Sequence, residues 1–395
     1  MVPNDWRKQQ ISDICTLQNG NSFKPHQWDT KGLPIIRIQN LNGSENFNYY
    51  SGEVNEKWLV ETGQLLFSWA GTKGVSFGPF IWKKERGVLN QHIYKVYAQD
   101  QVDQDWLYES LRWVTNKIEA QAHGFKATLL HVQKKDIDNQ PILVPPLPEQ
   151  HKIAQILSTW DKAITTTEKL IDVSKQQKKA LMQQLLTGKK RLIDPETGKT
   201  FEGEWEEVKV GEFGKVVTGN TPPKNDDSNY GSDISWATAE DFKSKYVGNT
   251  KVKLTKLGAS KARIVPKGSV LVTCIASIGK NAIAYENITT NQQINAVVIN
   301  NNHSNEFFYY QIEFNKHKLL AWAGTTAVPI LNKSSFEKIP LSAPLKNEQQ
   351  RIASVLTAAD KEIELLEAKL AHFKQEKKAL MQQLLTGKRR VSLSS

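Results

Sequence analysis

The sequence predicts an α+β protein in which two mixed α/β domains alternate with two long helices as an internal repeat. The stretch KKALMQQLLTGKKR at residues 178–191 returns as KKALMQQLLTGKRR at residues 377–390, with one change in fourteen positions. An apolar pattern of helical spacing runs into each copy, and short strand-like segments precede both patterns. Self-similarity over such a distance is typical of a duplicated architecture.

Each long repeat covers about 40 residues, and its periodicity is that of a coiled coil, with steps of four and three. At a rise of 1.5 Å per residue we expect helices of roughly 60 Å. Pro148 suits a first helical turn, and Gly188 and Gly387 suit the position just after a helix end. The predicted seams are Ile153, Leu157, Trp160, Ile164, Thr167, Ile171, Ser174, Lys178, Leu181 and Leu185 in the first helix, and Ile352, Leu356, Ala359, Ile363, Leu366, Leu370, Phe373, Lys377, Leu380 and Leu384 in the second.

The two seams differ in quality. Thr167, Ser174 and Lys178 interrupt the first seam, whereas the second has larger apolar residues such as Leu366 and Leu370 in its middle. We therefore predict that the helices pair with each other within one chain as antiparallel coiled-coil helices with an internal pseudo-twofold repeat. The alternative is that they pair between two chains of a homodimer.

The domains that precede the helices are duplicated with more divergence. Trp6 corresponds to Trp205 at the same offset of 199, and LNQHIYKVYA at residues 89–98 corresponds to TNQQINAVVI at residues 290–299. Offsets that drift along the domains indicate insertions in surface loops. The predicted division is residues 1–145 for the first domain, 146–191 for the first long helix, 192–204 for a linker, 205–342 for the second domain, 343–390 for the second long helix and 391–395 for a tail.

The composition is that of a basic, polar chain. Lysine and arginine exceed aspartate and glutamate by 52 − 41 = 11, and the isoelectric point is near 9.3. This balance favours a polyanionic partner, because neutralising phosphates releases counterions. Cys15 and Cys274 have no CxxC partners, and no stretch approaches the length of a membrane span or a secretory signal. We expect a cytoplasmic protein with reduced cysteines and no membrane partner.

Catalytic motifs are missing. TGKT at residues 197–200 lacks the upstream glycine of a phosphate loop, since Ile193 stands there. The string Asn220-Thr221-Pro222-Pro223-Lys224 does not match the Asn/Asp-Pro-Pro-aromatic signature of an amino-methylating enzyme, and the eight histidines show no metal-ligand spacing. The sequence therefore predicts no catalytic residue and no metal site in this chain.

Two variable domains that alternate with two near-identical helices, the entries PPLPEQ and PLKNEQ, and the exits ALMQQLLTGKKR and ALMQQLLTGKRR resemble the specificity subunits of type I restriction-modification systems. The resemblance covers essentially the whole chain. It implies that each variable domain is a target recognition domain that reads one half of a bipartite, asymmetric sequence in double-stranded DNA. It also implies that the helices set the spacing and dock two modification subunits.

The same resemblance places the chemistry on partner chains. The modification (methyltransferase) subunits would use S-adenosylmethionine to methylate adenine N6, and two restriction (translocase/nuclease) subunits would use ATP and Mg²⁺; this chain itself would hold no cofactor. Two alternatives stay open at this point. One is a coiled-coil scaffold with two protein-binding domains, and the other is a nuclease or methyltransferase whose motifs are hidden.

Candidate DNA-contacting residues are polar or basic side chains at glycine turns and strand ends, where base edges and phosphates are usually bound. Asn90-Gln91 and Asn291-Gln292 recur in both domains, which favours a structural role for that pair, whereas positions that differ, such as His92 against Gln293, favour sequence readout. The candidates are Lys24, His26, Arg37, Gln39, Asn40, Ser68, Trp69, Lys73, Gln91, His92 and Lys126 in the first domain, and Thr221, Lys224, Thr238, Thr273, Lys280, Gln292, Gln293, Thr325 and Thr326 in the second.

On the helices, candidate partner-docking residues cluster at the two equivalent entries. They are Glu149, Gln150, Ile153, Glu348, Gln349 and Ile352, with burial in the seam as the alternative for the two isoleucines. The basic exits at residues 189–191 and 388–390 have two readings that the sequence does not separate. They contact phosphate, or they complement the helix C-termini.

Overall fold

The computed structural model describes residues 3–121, 129–324 and 328–393. The chain divides into two compact units. The first unit is Met1–Glu168 with Ala368–Ser395, and the second unit is Lys169–Glu367. Each unit contains one α/β domain, the first part of one long helix and the last part of the other, so each domain shares its unit with parts of both long helices.

The first unit is built on two small sheets. Its ordered elements are β1 (Arg7–Gln10), α1 (Ile11–Ile14), β2 (Cys15–Asn19), β3 (Leu33–Ile36), α2 (Ile38–Leu41), β4 (Tyr49–Tyr50), β5 (Leu59–Val60), β6 (Leu65–Ser68), β7 (Ala70–Thr72), β8 (Gly78–Ile81), β9 (Gly87–Leu89), β10 (Ile93–Ala98), α3 (Gln104–Gln121), β11 (Leu129–His131), α4 (Lys134–Asp138), β12 (Pro141–Val144) and the start of α5 (Leu147–Leu185).

In the first unit one sheet has the strand order β2-β10-β6-β8 and is antiparallel. The other has the order β4-β3-β9-β5, with β3 and β9 parallel. A separate ribbon pairs β1 with β12 and so joins the beginning of the domain to the entry of α5. The main core of the unit includes α3, with Trp106 fully buried, and residues of both long helices.

The second unit repeats this plan. Its elements are the end of α5, then β13 (Glu206–Lys209), α6 (Val210–Phe213), β14 (Gly214–Thr218), β15 (Tyr230–Gly231), β16 (Ile234–Ala237), β17 (Tyr246–Val247), β18 (Lys253–Leu254), α7 (Lys256–Ser260), β19 (Ile264–Val265), β20 (Val270–Thr273), β21 (Asn281–Ala284), β22 (Ile288–Thr290), β23 (Ile294–Ile299), α8 (Asn305–Phe314), α9 (Lys316–Ala321), α10 (Lys333–Glu337), β24 (Pro340–Ala343) and α11 (Lys346–Leu384).

The strand orders show the duplication directly. The sheet β14-β23-β20-β21-β17 matches β2-β10-β6-β8 and adds β17 at one edge, and β13 pairs with β24 as β1 pairs with β12. The parallel pair β16–β22 corresponds to β3–β9. The α+β class and the internal repeat predicted from the sequence are confirmed.

Within each unit the two long helices run antiparallel. In the first unit Glu168 pairs with Lys374 and Asp161 with Lys377. The residue number therefore decreases along one helix as it increases along the other. In the second unit Lys175 pairs with Glu367 and Lys178 with Asp360 in the same sense. The helices therefore pair within one chain, as the unequal seams predicted.

Three of the four polar seam positions are buried in spite of their chemistry, and the fourth, Lys178, is partly buried. Thr167 is 4% exposed and donates to the carbonyl oxygen of Ala163, and Ser174 is 8% exposed and lies near Glu362. Lys377 is 3% exposed. The seam is therefore continuous, because each polar group has a partner inside its own unit.

Candidate nucleic-acid interface

The first unit has a turn at residues 90–93 at which several strand ends meet. Four backbone hydrogen bonds from three neighbouring segments hold it: Asn90 N to Ile36 O at 3.0 Å, Asn21 N to Leu89 O at 2.8 Å, Gly20 N to Ile93 O at 3.1 Å and Trp69 N to His92 O at 3.3 Å. Side chains of the loop after β2, of the end of β3 and of the β6–β7 junction are thereby brought to one edge of the domain.

The second unit has the same turn at residues 291–294. The four corresponding hydrogen bonds are Asn291 N to Ala237 O at 3.1 Å, Asn220 N to Thr290 O at 3.0 Å, Gly219 N to Ile294 O at 3.0 Å and Cys274 N to Gln293 O at 2.8 Å. A Cβ on Gly20 would lie 2.3 Å from Asn90 O, and one on Gly219 would lie 2.3 Å from Asn291 O. The glycines therefore allow the loop to approach the turn in both units.

The recurring asparagines hold the turn itself. Asn90 Oδ1 accepts from Gln91 N at 2.6 Å, and Asn291 Oδ1 accepts from Gln293 N at 3.1 Å. Asparagine side chains commonly bond to nearby backbone in this way. The asparagine of each Asn-Gln pair therefore recurs because it stabilises the backbone of the turn. The side chains of the glutamines that follow, Gln91 and Gln292, do not bond to the turn backbone in this way.

An aromatic and imidazole cluster lies beside the turn of the first unit. The Trp69 ring centroid is 5.1 Å from that of His92 and 4.6 Å from that of His131, and Trp69 Nε1 donates to Gln91 O at 3.2 Å. Burial, helped by His131, holds the pKa of His92 below its usual value. His92 is therefore neutral at neutral pH. His131 lies on β11 and pairs with Ala70; the sequence prediction missed it because its strand is short and distant in the chain.

The second unit has different chemistry at these positions. Cys274 takes the place of Trp69, Gln293 that of His92, and Ile330, which bridges to Ile275, that of His131. Cys274 is buried, and burial raises the pKa of its thiol to about 11, so it is unreactive. The two units thus have one backbone framework with unlike side chains around it.

Basic side chains lie on the segments that meet at each turn or follow them in the sequence. Lys24, His26 and Lys224 are exposed, and the Arg37 guanidinium lies 5.3 Å from the centroid of the Trp28 ring. Lys73 Nζ donates to Glu119 O and Lys280 Nζ to Ala239 O, each at 2.6 Å. Arg263, which the sequence prediction missed, is exposed and donates to Thr218 O at 2.7 Å. Cations in this arrangement suit phosphate contacts.

Five further predicted contact residues also make side-chain bonds inside their domain. Ser68 and Thr273 are fully buried and donate to the carbonyl oxygens of Ala70 and Lys280. Asn40 is 2% exposed and donates to Asn46 O, as does Gln39, while Thr238 binds Asp241. The prediction of DNA contact is corrected for the three buried residues, Asn40, Ser68 and Thr273, because they stabilise loops and offer no surface. Lys126, Thr325 and Thr326 lie outside the described residues.

The predicted docking residues are corrected as well. All six are at most 2% exposed. In the first unit Glu149 pairs with Arg390, and Gln150 donates to Pro145 O and accepts from Asp103 N. In the second unit Glu348 pairs with Arg191, and Gln349 makes the equivalent bonds. These residues, with Ile153 and Ile352 in the seam, fix the helix entries inside each unit and present no docking surface.

Comparison with known proteins identifies the family to which the chain belongs. The family model described as "Type I restriction modification DNA specificity domain" matches residues 3–175 and 202–375. The chain belongs to this family. As a family member it is a specificity subunit with two target recognition domains, a subunit type that recognises DNA and is not catalytic, and the protein-scaffold alternative is not favoured.

Individual relatives agree with the family match. A putative type I restriction enzyme MjaX specificity subunit of Methanocaldococcus jannaschii is 26% identical over 427 residues, which cover 99% of this chain and 95% of the relative. The HindI specificity subunit of Haemophilus influenzae is 30% identical over 148 residues, or 36% of this chain and 32% of the relative. The fold is similar to a crystal structure of a type I S subunit from M. genitalium, with a TM-score of 0.61, 16% identity, and coverage of 100% of this chain and 99% of that one.

Within the part of the chain that the structure describes, no helix is both long and apolar enough to cross a membrane.

Proposed function

We propose that this specificity subunit reads a bipartite, asymmetric sequence in double-stranded DNA, with residues 1–145 reading one half-site and residues 205–342 the other. The observation that carries this proposal is the pair of equivalent turns. Eight matched backbone hydrogen bonds build the same framework in both units, yet Trp69, His92 and His131 of the first are replaced by Cys274, Gln293 and Ile330 in the second. Equal frameworks with unlike side chains suit two unlike half-sites.

The residues that we propose to contact DNA are those candidates that remain on the surface near the turns. They are Lys24, His26, Arg37, Gln39, Trp69, Lys73, Gln91 and His92 with the added His131 in the first unit, and Thr221, Lys224, Thr238, Lys280, Gln292 and Gln293 with the added Arg263 in the second. Because arginine and lysine neutralise phosphates, binding should weaken as the salt concentration rises.

We further propose that the identical helix exits dock two copies of one modification subunit. In the repeated motif, core packing explains the three apolar residues that the two copies share. Met182, Leu185 and Leu186 pack into the core of the second unit, and Met381, Leu384 and Leu385 pack into the core of the first. Core packing does not account for the repeated residues on the outer face. The exposed pairs are Lys179 and Lys378, Ala180 and Ala379, Gln183 and Gln382, and Gln184 and Gln383.

Identical exposed residues on two copies of a motif favour two equivalent contacts with one kind of partner. The modification subunits would then supply S-adenosylmethionine and methylate adenine, and two restriction subunits would supply ATP-dependent cleavage with Mg²⁺. The chain's own share of the reaction is to bind the target and to position it.

The experiment that tests the function is a genome-wide map of N6-methyladenine in the native host with and without this chain. Loss of one gapped, asymmetric motif is the expected result. Exchange of residues 1–145 for the matching domain of a relative should then alter one half of that motif only. An unchanged map in a host that expresses active modification subunits would contradict the proposal, and so would a change in both halves after the exchange.

A further inference from the structure

Gln91 and Gln292 occupy the same position in the two equivalent turns, but opposite ends of their side-chain amides are fixed. In the first unit Gln91 Nε2 lies 3.2 Å from His92 Nε2. An amide nitrogen can only donate, so His92 Nε2 is the acceptor in this contact. The lowered pKa of His92 keeps the imidazole in this neutral, accepting form.

In the second unit the contact is reversed. Thr221 Oγ1 lies 2.6 Å from Gln292 Oε1. An amide oxygen can only accept, so the threonine hydroxyl donates and fixes the oxygen end of Gln292. The two glutamines are therefore held in opposite senses by neighbours that differ between the units.

The atoms left free on each amide differ accordingly. Gln91 retains its Oε1 acceptor and one N–H donor, whereas Gln292, which is exposed, presents both N–H donors. In the major groove adenine shows the N7 acceptor beside the N6 donor, and guanine shows two acceptors, N7 and O6. One acceptor with one donor is the complement of adenine, and two donors are the complement of guanine.

We propose that Gln91 reads an adenine in one half-site and Gln292 reads a guanine in the other, with His92 and Thr221 as positioning residues that set the two amide orientations. This inference rests on the proposed function, because it needs both turns to face the DNA. It extends that function by assigning the base class that each unit reads at one position.

The test uses the chain assembled with its modification subunits and a library of random DNA duplexes from which bound sequences are selected. The wild-type motif is expected to hold a required adenine in the half-site that residues 1–145 determine and a required guanine in the other. Gln91→Ala should reduce the preference at that adenine by about tenfold to a hundredfold, the usual value of a bidentate base contact, and leave the second half-site intact. Gln292→Ala should have the reciprocal effect.

The positioning residues have conservative partners that separate orientation from folding. His92→Phe removes the acceptor and should abolish the adenine preference, whereas His92→Gln restores an acceptor and should retain it. Thr221→Val removes the donor and should allow guanine and adenine to bind equally at the position that Gln292 reads, whereas Thr221→Ser should keep guanine preferred. A role in packing alone would make the preference follow side-chain volume and not hydrogen-bonding capacity.

The outcomes are distinguishable. The half-site read by the unmutated unit reports that each variant complex is folded, and Gln91→Met replaces Gln91→Ala if the latter does not assemble. A motif without the adenine or the guanine overturns the inference, as does a Gln91 variant that weakens all sequences equally. A wild-type complex without any sequence preference would instead refute the proposed function.

Discussion

Lys377 and Asp161 form an ion pair across the two antiparallel helices of the first unit, with Nζ 2.5 Å from Oδ2. Lys377 is 3% exposed and also lies 3.1 Å from Glu109 of α3, which is 2% exposed. Burial raises the pKa of Glu109, while Arg112 and Lys377 hold the pKa of Asp161 below its usual value against the effect of its burial. The network joins both helices to the domain of that unit.

The second unit has the same pair with different neighbours. Lys178 lies 2.7 Å from Asp360, and both are 199 positions from their counterparts in the order of the repeat. In place of Glu109 stands Tyr310, which donates to Asp360 at 2.6 Å, and Glu313 stands in place of Arg112. The lysine and aspartate of the helices are thus the same in both units. The domain residues that contact them differ, with Glu109 and Arg112 in the first unit and Tyr310 and Glu313 in the second.

Replacing Lys377 by methionine should strongly destabilise the first unit. The change leaves Glu109 and Asp161 with Arg112 as their nearby cation, and breaking a buried pair costs about 3–5 kcal/mol. The measurement is hydrogen exchange in denaturant for peptides of α3, with peptides of the second unit as an internal reference. The control is Lys374→Ala, whose exposed pair with Glu168 should be worth less than about 1 kcal/mol. Equal losses in the two variants would show that the buried network adds nothing.

Arg191 should not tolerate substitution by lysine. Its guanidinium binds both oxygens of Glu348 at 2.6 Å and also donates to the carbonyl oxygens of Gly203 and Glu202, so it ties the linker to the start of α11. Lysine lacks the planar fork that makes these contacts together. We expect a loss of about 1–3 kcal/mol in the second unit, since Glu348 is 1% exposed and lysine would leave one of its buried acceptors unpaired.

Chemical denaturation with hydrogen exchange at residues 192–204 measures this loss. The exposed neighbour Lys190 provides the control, because Lys190→Ala removes charge from the same helix exit without touching Glu348. If both variants exchange alike at the linker, the Arg191 contacts do not hold it.

Gly188 should be more sensitive to alanine than a second glycine with the same backbone conformation. Gly188 has φ of 70° and Gly198 has φ of 69°, a region that costs other residues about 1–2 kcal/mol. A Cβ on Gly188 would also lie 3.2 Å from the ring of Trp205, whereas nothing lies within 4 Å of one on Gly198. Thermal unfolding should therefore show a larger loss for Gly188→Ala than for Gly198→Ala, and the difference measures the contact with Trp205.

The adenine preference that we assign to the first unit should fall in acid. The folded environment lowers the pKa of His92 from its ordinary 6.5, so the ring is neutral at pH 7 and accepts from Gln91. Protonation of His92 at a pH below its pKa turns Nε2 into a donor and removes the acceptor for Gln91. His131, 6.2 Å away between ring centroids, is the titratable group that faces it and would add repulsion when charged.

Selection from the duplex library at neutral and at acidic pH measures this dependence, with the second half-site as reference. The His92→Gln variant has no imidazole at this position and should keep its adenine preference over the same interval. If wild type and His92→Gln lose the preference together, the titrating group is elsewhere.

Much of the helical architecture was predictable from the sequence because the 4-3 spacing repeats over five heptads. The same pattern misrepresented its polar members, however. Lys178 was interpreted as an interruption of the first seam, yet Asp360 binds it, as Asp161 binds Lys377 in the other unit. Periodicity records which face is buried and not which charges meet there, so a buried ion pair between residues about 200 positions apart has no local signature.

The site was predictable in outline and wrong in several members. Glycine turns and strand ends in the sequence led to the two turns that the structure contains, since glycine at residues 20 and 219 is needed for close backbone approach. Residue type alone did not separate Gln91, whose amide edge is partly free, from Asn40, which is buried against Ser44 and Asn46. Glu149 and Gln150 were mistaken for docking residues because their recurrence reflects a contact inside each unit.

We propose that the two long helices set the distance between the half-sites, and this role leads to a prediction about spacing. Inserting seven residues after Ile171 and seven after Leu370, positions related by 370 − 171 = 199, preserves the heptad register of both seams. The added length of about 10 Å should widen the gap between half-sites by roughly three base pairs, at about 3.4 Å per pair, without altering either half-site. Methylation mapping of a host that carries the variant measures the gap. The matched control inserts three residues at each position, which shifts the apolar residues off the seam and should abolish methylation; an unchanged gap in the seven-residue variant would show that the helices do not set it.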